Sequence, residues 1–312
     1  MWTCLELFSA VLCWSFCKFV SAMTFQVTSL TRFAIKGLSG DDLTTVEIDK
    51  AGETFPNDRR FALIKDEKLW DDDSQPEWIH KQHFLCAFTA PELMSTFHTK
   101  CVEYESGDIQ LNVWKRDTGT YEAPLLESVS LASPQGRQQV SQFFSQACGE
   151  PVRLVTASSK PGGEHTHQFG NTSSGWKQKH DTRTVHIVNA ATVRQLSERL
   201  ENDPSLAHIH AWPLRASRFR PNIVVDGVEP WDEFMWVGKN SLKFSGGLEM
   251  EVISHTVRCD GIGIDPLDKI QHKLDMPQLI NKHFPEHGPY LGVYAVITKP
   301  GSIAIGDDFN VL

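Results

Sequence analysis

The residues best suited to chemistry are one cysteine and the arginines around it. Cys259 directly follows Arg258, and Arg218 and Arg220 stand upstream in the string S-R-F-R-P-N. A thiol beside a fixed positive charge is biased toward thiolate, the form that attacks electrophiles and binds soft metals. Because guanidinium groups bind anions through paired hydrogen bonds, these residues predict an anion site with a soft ligand at its centre.

A short apolar strand is expected to position the upstream arginines. Residues 222–226 form the run N-I-V-V-D ahead of Gly227, which predicts a strand that ends in an Asp-Gly turn. Alternation along this strand places the side chains of Arg220 and Asn222 on one face, opposite Pro221. The two side chains would then face the same ligand; the simpler alternative is an exposed arginine and a turn asparagine.

Short strand patterns dominate the rest of the chain. Alternating apolar residues between turn residues predict strands over 24–31, 43–48, 61–64, 109–114, 151–155, 184–188, 222–226, 241–244, 248–255, 291–298 and 302–305. Residues 158–182 are polar and contain glycine, which predicts a long mobile loop. Many short strands with few helices predict a mainly β, barrel-like architecture.

Helices are predicted over 91–99, 134–148, 193–200 and 277–283. The second of these has Ser133 as its N-cap, Pro134 at its first position and Gly149 after its end. Thr192 is the predicted N-cap of the third helix. We expect the second helix to be the hinge between two domains.

The strings R-F-R-P-N and R-C-D-G-I-G-I-D-P, in this order, resemble the MOSC family, named for the C-terminal domain of molybdenum cofactor sulfurase. The family includes the mitochondrial amidoxime-reducing component. Further similarity lies in N-D-R-R-F-A-L-I near the start and in the final strands, so that it spans residues 24–312. The resemblance implies an N-terminal β-barrel-like domain at 23–130 and a MOSC β-barrel with a few short helices at 131–312, with the molybdenum cofactor in the cleft between them.

The resemblance also implies roles for individual residues. Cys259 matches the cysteine that ligates molybdenum, or is proposed to carry sulfur, and so becomes the expected metal ligand and catalytic residue. Arg220, Asn222 and Arg258 match or flank cofactor contacts on the same side. Thiolate suits molybdenum because both partners are soft.

The first domain is expected to contribute cations to the same cofactor. Lys36 and Arg59 match residues that approach the molybdopterin, although Gly37 stands where that subfamily has serine. Thr192 falls at a serine whose hydroxyl and helix N-terminus can receive a phosphate. Ala190 replaces the acidic residue of that family string, a departure from the amidoxime-reducing pattern.

The function implied is that of a molybdenum-dependent oxidoreductase that reduces N-hydroxylated or related N–O substrates. Since no haem or flavin motif is present, a separate electron-donor protein is implied. Two alternatives stay open: a non-catalytic carrier of the cofactor or of a Cys259 persulfide, and an anion-binding barrel without metal. Pyridoxal phosphate binding is a further expectation carried only by the family.

Composition restricts the other possibilities. The net charge of −9 argues against nucleic acid as the main partner, because phosphate backbones bind basic surfaces. Seven cysteines occur without a C-x-x-C pair, which argues against a disulfide framework or a zinc ribbon and favours a reducing compartment.

The first residues of the chain are strongly apolar. Residues 2–22 carry only Glu6 and Lys18 as charged interruptions and lack the basic start of a signal peptide. They are compatible with a membrane anchor, a targeting peptide, or an extension ahead of a true start at Met23. The expected location is cytoplasmic, with a mitochondrial or other membrane-anchored location as the alternative.

A shortened chain that begins at Met23 is expected to fold and to remain competent for cofactor binding, because strand alternation starts directly after that residue. Thermal unfolding measures whether the shortened chain is folded, and light scattering measures whether it aggregates. Aggregation with loss of a cooperative transition would contradict the expectation, because removing a structural strand exposes apolar surface. Fractionation of cells that hold the full chain then separates a membrane anchor from a start at Met23.

Overall fold

The computed structural model describes residues 25–312, apart from 66, 72–78, 105–107, 117–122, 158–168, 170–182, 210–211, 239–240 and 266–272. The predictions for residues 1–22, and for all of the 158–182 loop except Phe169, therefore lie outside the described residues. Within the described part, the protein is mainly β, with a closed barrel and four α-helices, so the predicted fold class is confirmed.

The strands are numbered along the chain and are β1 (Phe25–Arg32), β2 (Ile35–Lys36), β3 (Asp41–Leu43), β4 (Thr45–Ile48), β5 (Phe61–Ile64), β6 (Phe97–Glu103), β7 (Ile109–Lys115), β8 (Leu126–Ser130), β9 (Arg153–Thr156), β10 (Val185–Asn189), β11 (Ile223–Asp226), β12 (Ser241–Phe244), β13 (Glu249–Val257), β14 (Tyr290–Lys299), β15 (Gly301–Ala304) and β16 (Asp308–Val311). The helices are α1 (Pro91–Thr96), α2 (Pro134–Cys148), α3 (Ala190–Glu201) and α4 (Met276–His283).

Seven strands close into the barrel. Their order is β11-β10-β14-β13-β12-β16-β1, and β1 also pairs with β11, which completes the ring; β3 is attached outside it to β1. Only β10 and β11 run parallel, and the other pairs within this ring are antiparallel. Closure removes the unpaired edges that an open sheet would present. Val27 and Leu30 of β1 both point into a fully buried core, because a bulge between Val27 and Ser29 shifts the alternation of side chains by one residue.

A second body, which we call the lobe, packs against the barrel. It contains the sheets β2-β5-β9 and β6-β7-β8 together with α2, whose Val140 and Phe144 are fully buried in the lobe core. Thus α2 and β9, which follow residue 130, pack with strands that precede it, whereas β1 and β3 join the C-terminal strands. The domain division at 130 and 131 stays a prediction, and the observed sheets draw on both sides of it.

A buried arginine at the end of β1 joins the barrel to the lobe. The Nε of Arg32 donates to Asp41 at 3.2 Å, its Nη1 to Glu103 at 2.8 Å and its Nη2 to the Cys101 carbonyl at 3.2 Å. Asp41 in turn accepts from the Cys101 amide at 2.7 Å. Because a buried charge must be paired and hydrogen-bonded, this network fixes β1 and β3 against β6. It therefore fixes where the chain enters the lobe, immediately before Lys36.

The helix predictions were correct in kind and partly wrong in their ends. Ser133 caps α2 by accepting from the Gly136 amide at 3.0 Å, and Gly149 ends the helix in the left-handed conformation, as predicted. The predicted helix over 91–99 is wrong beyond Thr96, because the alternating residues from Phe97 onward pair with β7 instead.

The predicted N-cap of α3 is also wrong. Asn189 caps this helix, and its side chain accepts from the Ala191 amide at 3.0 Å, so the helix begins at Ala190. Asparagine is among the strongest N-cap residues, which explains why the helix starts before Thr192.

None of the helices in the described ranges has the length and apolar character that crossing a membrane requires.

Candidate functional site

Arg59, Arg220, Asn222 and Arg258 come together where the lobe meets the barrel. The Nη2 of Arg59 donates to the Arg220 carbonyl at 3.4 Å, and its Nη1 donates to Oδ1 of Asn222 at 3.3 Å. Arg258 joins through His186, whose Nε2 lies 3.4 Å from Arg258 Nη1 and whose Nδ1 lies 3.3 Å from the Arg220 carbonyl. Residues far apart in sequence thus form one hydrogen-bonded group.

Arg59 is held by the tight turn that precedes β5. It has a positive φ of 50°, its amide donates to the Phe33 carbonyl at 2.7 Å, and its guanidinium is paired with the Asp58 carboxylate. Buried Asp58 also accepts from the Phe33 amide at 2.8 Å and from Asn222 at 3.1 Å. The turn is therefore pinned to the barrel strand that carries Asn222.

Two guanidinium groups lie against one aromatic ring. The Cζ atoms of Arg59 and Arg220 are 4.9 Å and 4.2 Å from the centre of the Phe33 ring. Cation–π attraction favours this position. Among the described residues the Arg220 guanidinium makes no ion pair and no hydrogen bond, so its donors stay available to a ligand.

The strand alternation predicted for residues 220–222 is wrong. Arg220 ends a 3-10 turn in the left-handed conformation, with φ 55° and ψ 50°, and β11 begins only at Ile223. Asn222 is fully buried and its amide is used within the protein, by the Thr31 carbonyl at 3.1 Å, by the His186 amide at 3.2 Å, and by Asp58 and Arg59. Its role as a cofactor contact stays a prediction. Arg218 is buried and donates to the Ile262 carbonyl at 3.1 Å.

Lys36 adds a cation from the lobe side. It lies on β2, its Nζ donates to the Phe169 carbonyl, and Nζ is 5.2 Å from the centre of the Phe84 ring. Burial lowers the pKa of Lys36 to about 8; Cys86 opposes this, and the positive charges of Arg59 and Arg220 lower it further. Cys259 also raises the pKa of Lys36, so its thiol lies within electrostatic range of this cation.

Positive charge exceeds negative charge at this site. Asp58 is the only carboxylate that forms an ion pair with Lys36, Arg59, Arg220 or Arg258 in the described part of the chain. Burial, followed by repulsion from Arg59, lowers the pKa of Arg220, and burial also lowers that of Arg258. Buried charge without a partner is costly. An anion bound here would offset that cost.

Cys259 lies exposed at the end of β13, next to the lobe. It is a free thiol at the start of a 3-10 turn. A Cβ placed on Gly261 would lie 3.6 Å from the Cys259 sulfur and 3.9 Å from the amide nitrogen of Phe88 in the lobe. Within the described ranges, no three His, Cys, Asp or Glu residues cluster in a way that would hold a metal ion. A metal at this site would take one protein thiolate and draw its other ligands from a cofactor.

The backbone and packing at residue 37 explain why this chain has glycine where the family pattern has serine. Its φ is +90°, and a Cβ there would lie 2.7 Å from the backbone Cα of Cys86. A serine would therefore clash with the lobe and strain the backbone. A cavity beside it is lined by Gly37, Met94 and Ser95 of the lobe and by Arg220 and Gly261 of the barrel.

Thr192 lies in a separate buried cluster. Its hydroxyl is 2.9 Å from both carboxylate oxygens of Glu233 and accepts from the Trp231 amide at 2.8 Å. Asn189 also donates to Glu233, at 3.0 Å. No contact among the described residues joins Thr192 to Cys259 or to the cations, and its predicted role as a phosphate contact stays a prediction.

Several residues of the site were not foreseen, namely Phe33, Asp58, Cys86 and His186. Asp58 directly precedes Arg59 in the sequence, and these adjacent opposite charges could have indicated the ion pair. His186 interrupts the apolar strand T-V-H-I-V, and a polar residue in such a run is a signal of a buried hydrogen-bonded role. Phe33 and Cys86 reach the site only through the fold, and their neighbours in sequence carry no signal.

Comparisons with known proteins agree with these observations. The model of the MOSC domain matches residues 164–310, which confirms the resemblance drawn from the sequence motifs. The mitochondrial amidoxime reducing component 2 of Rattus norvegicus is 25% identical over 188 residues, 55% of this chain and 51% of that protein. The mitochondrial amidoxime-reducing component 1 of Homo sapiens is 24% identical over 141 residues, 42% of this chain and 38% of that protein.

The chain thus spans about half the length, or less, of these curated relatives. The crystal structure of the YUAD protein from Bacillus subtilis covers 92% of this chain and 95% of that chain, with a TM-score of 0.37 and 11% identity. Neither the comparisons nor the described residues support the expectation of pyridoxal phosphate binding.

Sulfate is expected to bind at the cation site with an affinity that falls as the pH rises from about 7 to 8.5, because Lys36 loses its charge in this range. Calorimetric titration with sulfate is suited to the measurement, since sulfate itself keeps its charge throughout. Lys36→Met should weaken binding by about fivefold or more at pH 7 and remove most of the pH dependence.

Lys50→Met, at an exposed lysine away from the site, serves as the matched control and should change nothing. An affinity that stays constant over this pH range in the unaltered protein would contradict the charge assigned to Lys36.

Glu233→Gln is expected to remove a pH dependence of stability. Burial raises the pKa of Glu233 from 4.5 to about 7, so between these values the unfolded chain releases a proton that the folded chain keeps. The free energy of unfolding therefore falls as the pH rises through this window, by a total on the order of 3 kcal/mol. Urea unfolding of both proteins across the window measures the difference.

Exposed Glu198→Gln, on α3, the helix that carries the Glu233 partner Thr192, should leave the dependence in place. Equal slopes in the unaltered protein and in Glu233→Gln would show that this carboxyl titrates as it does in the unfolded chain.

Proposed function

We propose that this chain, a MOSC-domain protein, binds the molybdenum cofactor between its lobe and its barrel and reduces N-hydroxylated or related N–O substrates. The observation that carries the proposal is the surplus of positive charge from Lys36, Arg59, Arg220 and Arg258 where the lobe meets the barrel, with the exposed thiol of Cys259 in electrostatic contact with Lys36 and Arg258. Both sides of the cleft contribute to it, as a cofactor held between two bodies requires.

The residues fit the chemistry of this cofactor. The phosphate of this cofactor carries negative charge, and its pterin has a planar hydrogen-bonding edge. Both suit guanidinium groups such as that of Arg220. The Nε of Arg258 is buried without a hydrogen-bond partner among the described residues, so this cation also lacks full compensation. The free thiol of Cys259 is a soft ligand that suits molybdenum.

When bound, the cofactor would supply the two-electron chemistry that cleaves an N–O bond. The chain's own part is to bind and to orient. Asp58 and Asn222 hold the Arg59 turn against the barrel, and Phe33 holds the guanidinium groups of Arg59 and Arg220 side by side. Cys259 stays exposed, so that a substrate can reach the ligated side of the site.

The substrate class rests on the relatives. Two of them are named as amidoxime-reducing components, and an amidoxime carries an N–O bond. Reduction of that bond consumes electrons, and a separate electron-donor protein is part of the proposal.

A second candidate is a protein that carries the cofactor, or sulfur as a Cys259 persulfide, without turnover. The exposure of the Cys259 thiol favours it, because a carried sulfur atom must be passed to another molecule. The two departures at Gly37 and Ala190 are compatible with it as well. Bound molybdenum without reductant-driven turnover distinguishes this carrier from the enzyme.

Cys259→Ser is expected to abolish both molybdenum retention and the reduction of benzamidoxime by a reduced viologen dye. The fold should stay intact, with a stability change of about 1 kcal/mol or less, since the exchange is nearly isosteric and exposed. Elemental analysis and turnover are measured on protein from a host that makes the cofactor.

Cys148→Ser is the matched control, because Cys148 is a free, partly exposed cysteine in the lobe at the end of α2. It should keep metal and turnover. Retention of both by Cys259→Ser would refute the ligand assignment, and metal without turnover in the unaltered protein would favour the carrier.

A further inference from the structure

His186 occupies the middle of the site without being one of its cations. It lies on β10, whose five residues are all buried, and is itself only 4% exposed. Its backbone and its ring both face site residues. The amide donates to Asn222 at 3.2 Å, and the carbonyl accepts from the Asn222 amide at 2.8 Å.

The partners of the His186 ring favour the tautomer with its proton on Nδ1. A guanidinium group has donors and no acceptor, so Nε2, at 3.4 Å from Arg258 Nη1, accepts from Arg258 in that tautomer; the Leu291 carbonyl also acts on the ring and favours its protonated form. The proton is then on Nδ1, which donates to the Arg220 carbonyl at 3.3 Å. The same carbonyl also accepts from Arg59. One neutral ring thus connects the backbone of Arg220 with the side chain of Arg258.

Packing keeps the ring in place and without charge. It lies 5.4 Å from the ring of Tyr294, centre to centre. Gly292, with φ +76°, leaves room for it, since a Cβ there would lie 2.8 Å from Nε2 of His186. Burial, followed by the nearby charge of Arg258, holds the pKa of His186 well below its ordinary value.

His186 is one of two residues that orient Arg258; the other is Phe219, whose ring centre lies 5.5 Å from Arg258 Cζ. Arg258 Nη2 donates to the Phe219 carbonyl at 2.9 Å and its Nη1 to His186, while its Nε has no partner among the described residues. Cys259 follows Arg258 directly, and the two groups interact electrostatically. A change in the His186 ring would therefore alter the electrostatic potential at the thiol.

We propose that His186 is a positioning residue of this site. As a neutral ring it accepts from Arg258 and donates to the Arg220 carbonyl, and it thereby directs the charge of Arg258 toward Cys259. The importance of this arrangement for catalysis rests on the proposed function, but the arrangement itself is measurable in protein without cofactor.

The probe is the alkylation of Cys259 by two reagents of similar size, anionic iodoacetate and neutral iodoacetamide. The ratio of their rates reports the potential at the sulfur, because a nearby cation favours the anionic reagent. Mass spectrometry of the peptide that contains Cys259 separates it from the other cysteines. Three variants are compared with the unaltered protein: His186→Phe, His186→Gln and the control His255→Phe.

His186→Phe should lower the iodoacetate-to-iodoacetamide ratio by about threefold or more, because Arg258 loses its acceptor. His186→Gln should restore much of the ratio, since its amide oxygen can accept from Arg258 near the position of Nε2. His255→Phe should leave it unchanged. His255 is also a barrel histidine, but it packs on Phe234 and bonds the Phe234 carbonyl at 3.2 Å.

An unchanged ratio in folded His186→Phe would overturn the proposal, and so would an equal fall in His255→Phe. If His186→Phe fails to fold, the comparison of His186→Gln with His186→Asn decides. Asparagine keeps the Nδ1 donor but is too short to accept from Arg258, so a ratio that is not lower in His186→Asn overturns the proposal. Absence of molybdenum from the unaltered protein would refute the proposed function and leave this ratio test valid.

Discussion

The site depends on one electrostatic imbalance. Four cationic side chains, those of Lys36, Arg59, Arg220 and Arg258, come together where the lobe meets the barrel, and Asp58 is the one carboxylate paired with them among the described residues. Burial makes this arrangement costly for the protein alone. Under the proposed function, this surplus charge preorganises the site for an anion, since binding one would recover that cost.

The fold holds these cations close together. Closure of the barrel through β1 and β11 places Asn222 beside Thr31, and the Arg32 network fixes the chain where it crosses into the lobe. Because β1 belongs to the barrel and β2 to the lobe, the short segment between these strands crosses from one body to the other. It places Phe33 and Lys36 at the cleft. The cations are therefore held by rigid strands and pinned turns, and neither body alone could assemble them.

Sequence patterns were sufficient for the fold class, and alternation predicted most strands. The strings that contain Arg220 and Cys259 predicted an anion site with a soft ligand, and those roles stay predictions. The exact conformation of Arg220 escaped prediction because a 3-10 turn, rather than a strand, precedes Pro221. The start of α3 was misplaced because Asn189 competes with Thr192 as a cap.

Other features depend on contacts between distant segments, which local patterns do not encode. Phe33 and His186 acquire their roles only when β1, β10 and β11 are paired. The close approach of Gly37 to Cys86 likewise exists only in the folded chain. This contact explains why residue 37 is glycine, where the family pattern has serine.

The most direct test of the charge-based account is the pterin and molybdenum content of the protein as purified from a host that makes the cofactor. Fluorescence of the oxidised pterin and elemental analysis are measured together, for the unaltered protein and for Arg220→Glu. The account predicts that the unaltered protein contains both and that the charge reversal removes both while the protein stays folded. Folded, unaltered protein without pterin, or an unchanged content in Arg220→Glu, would contradict it.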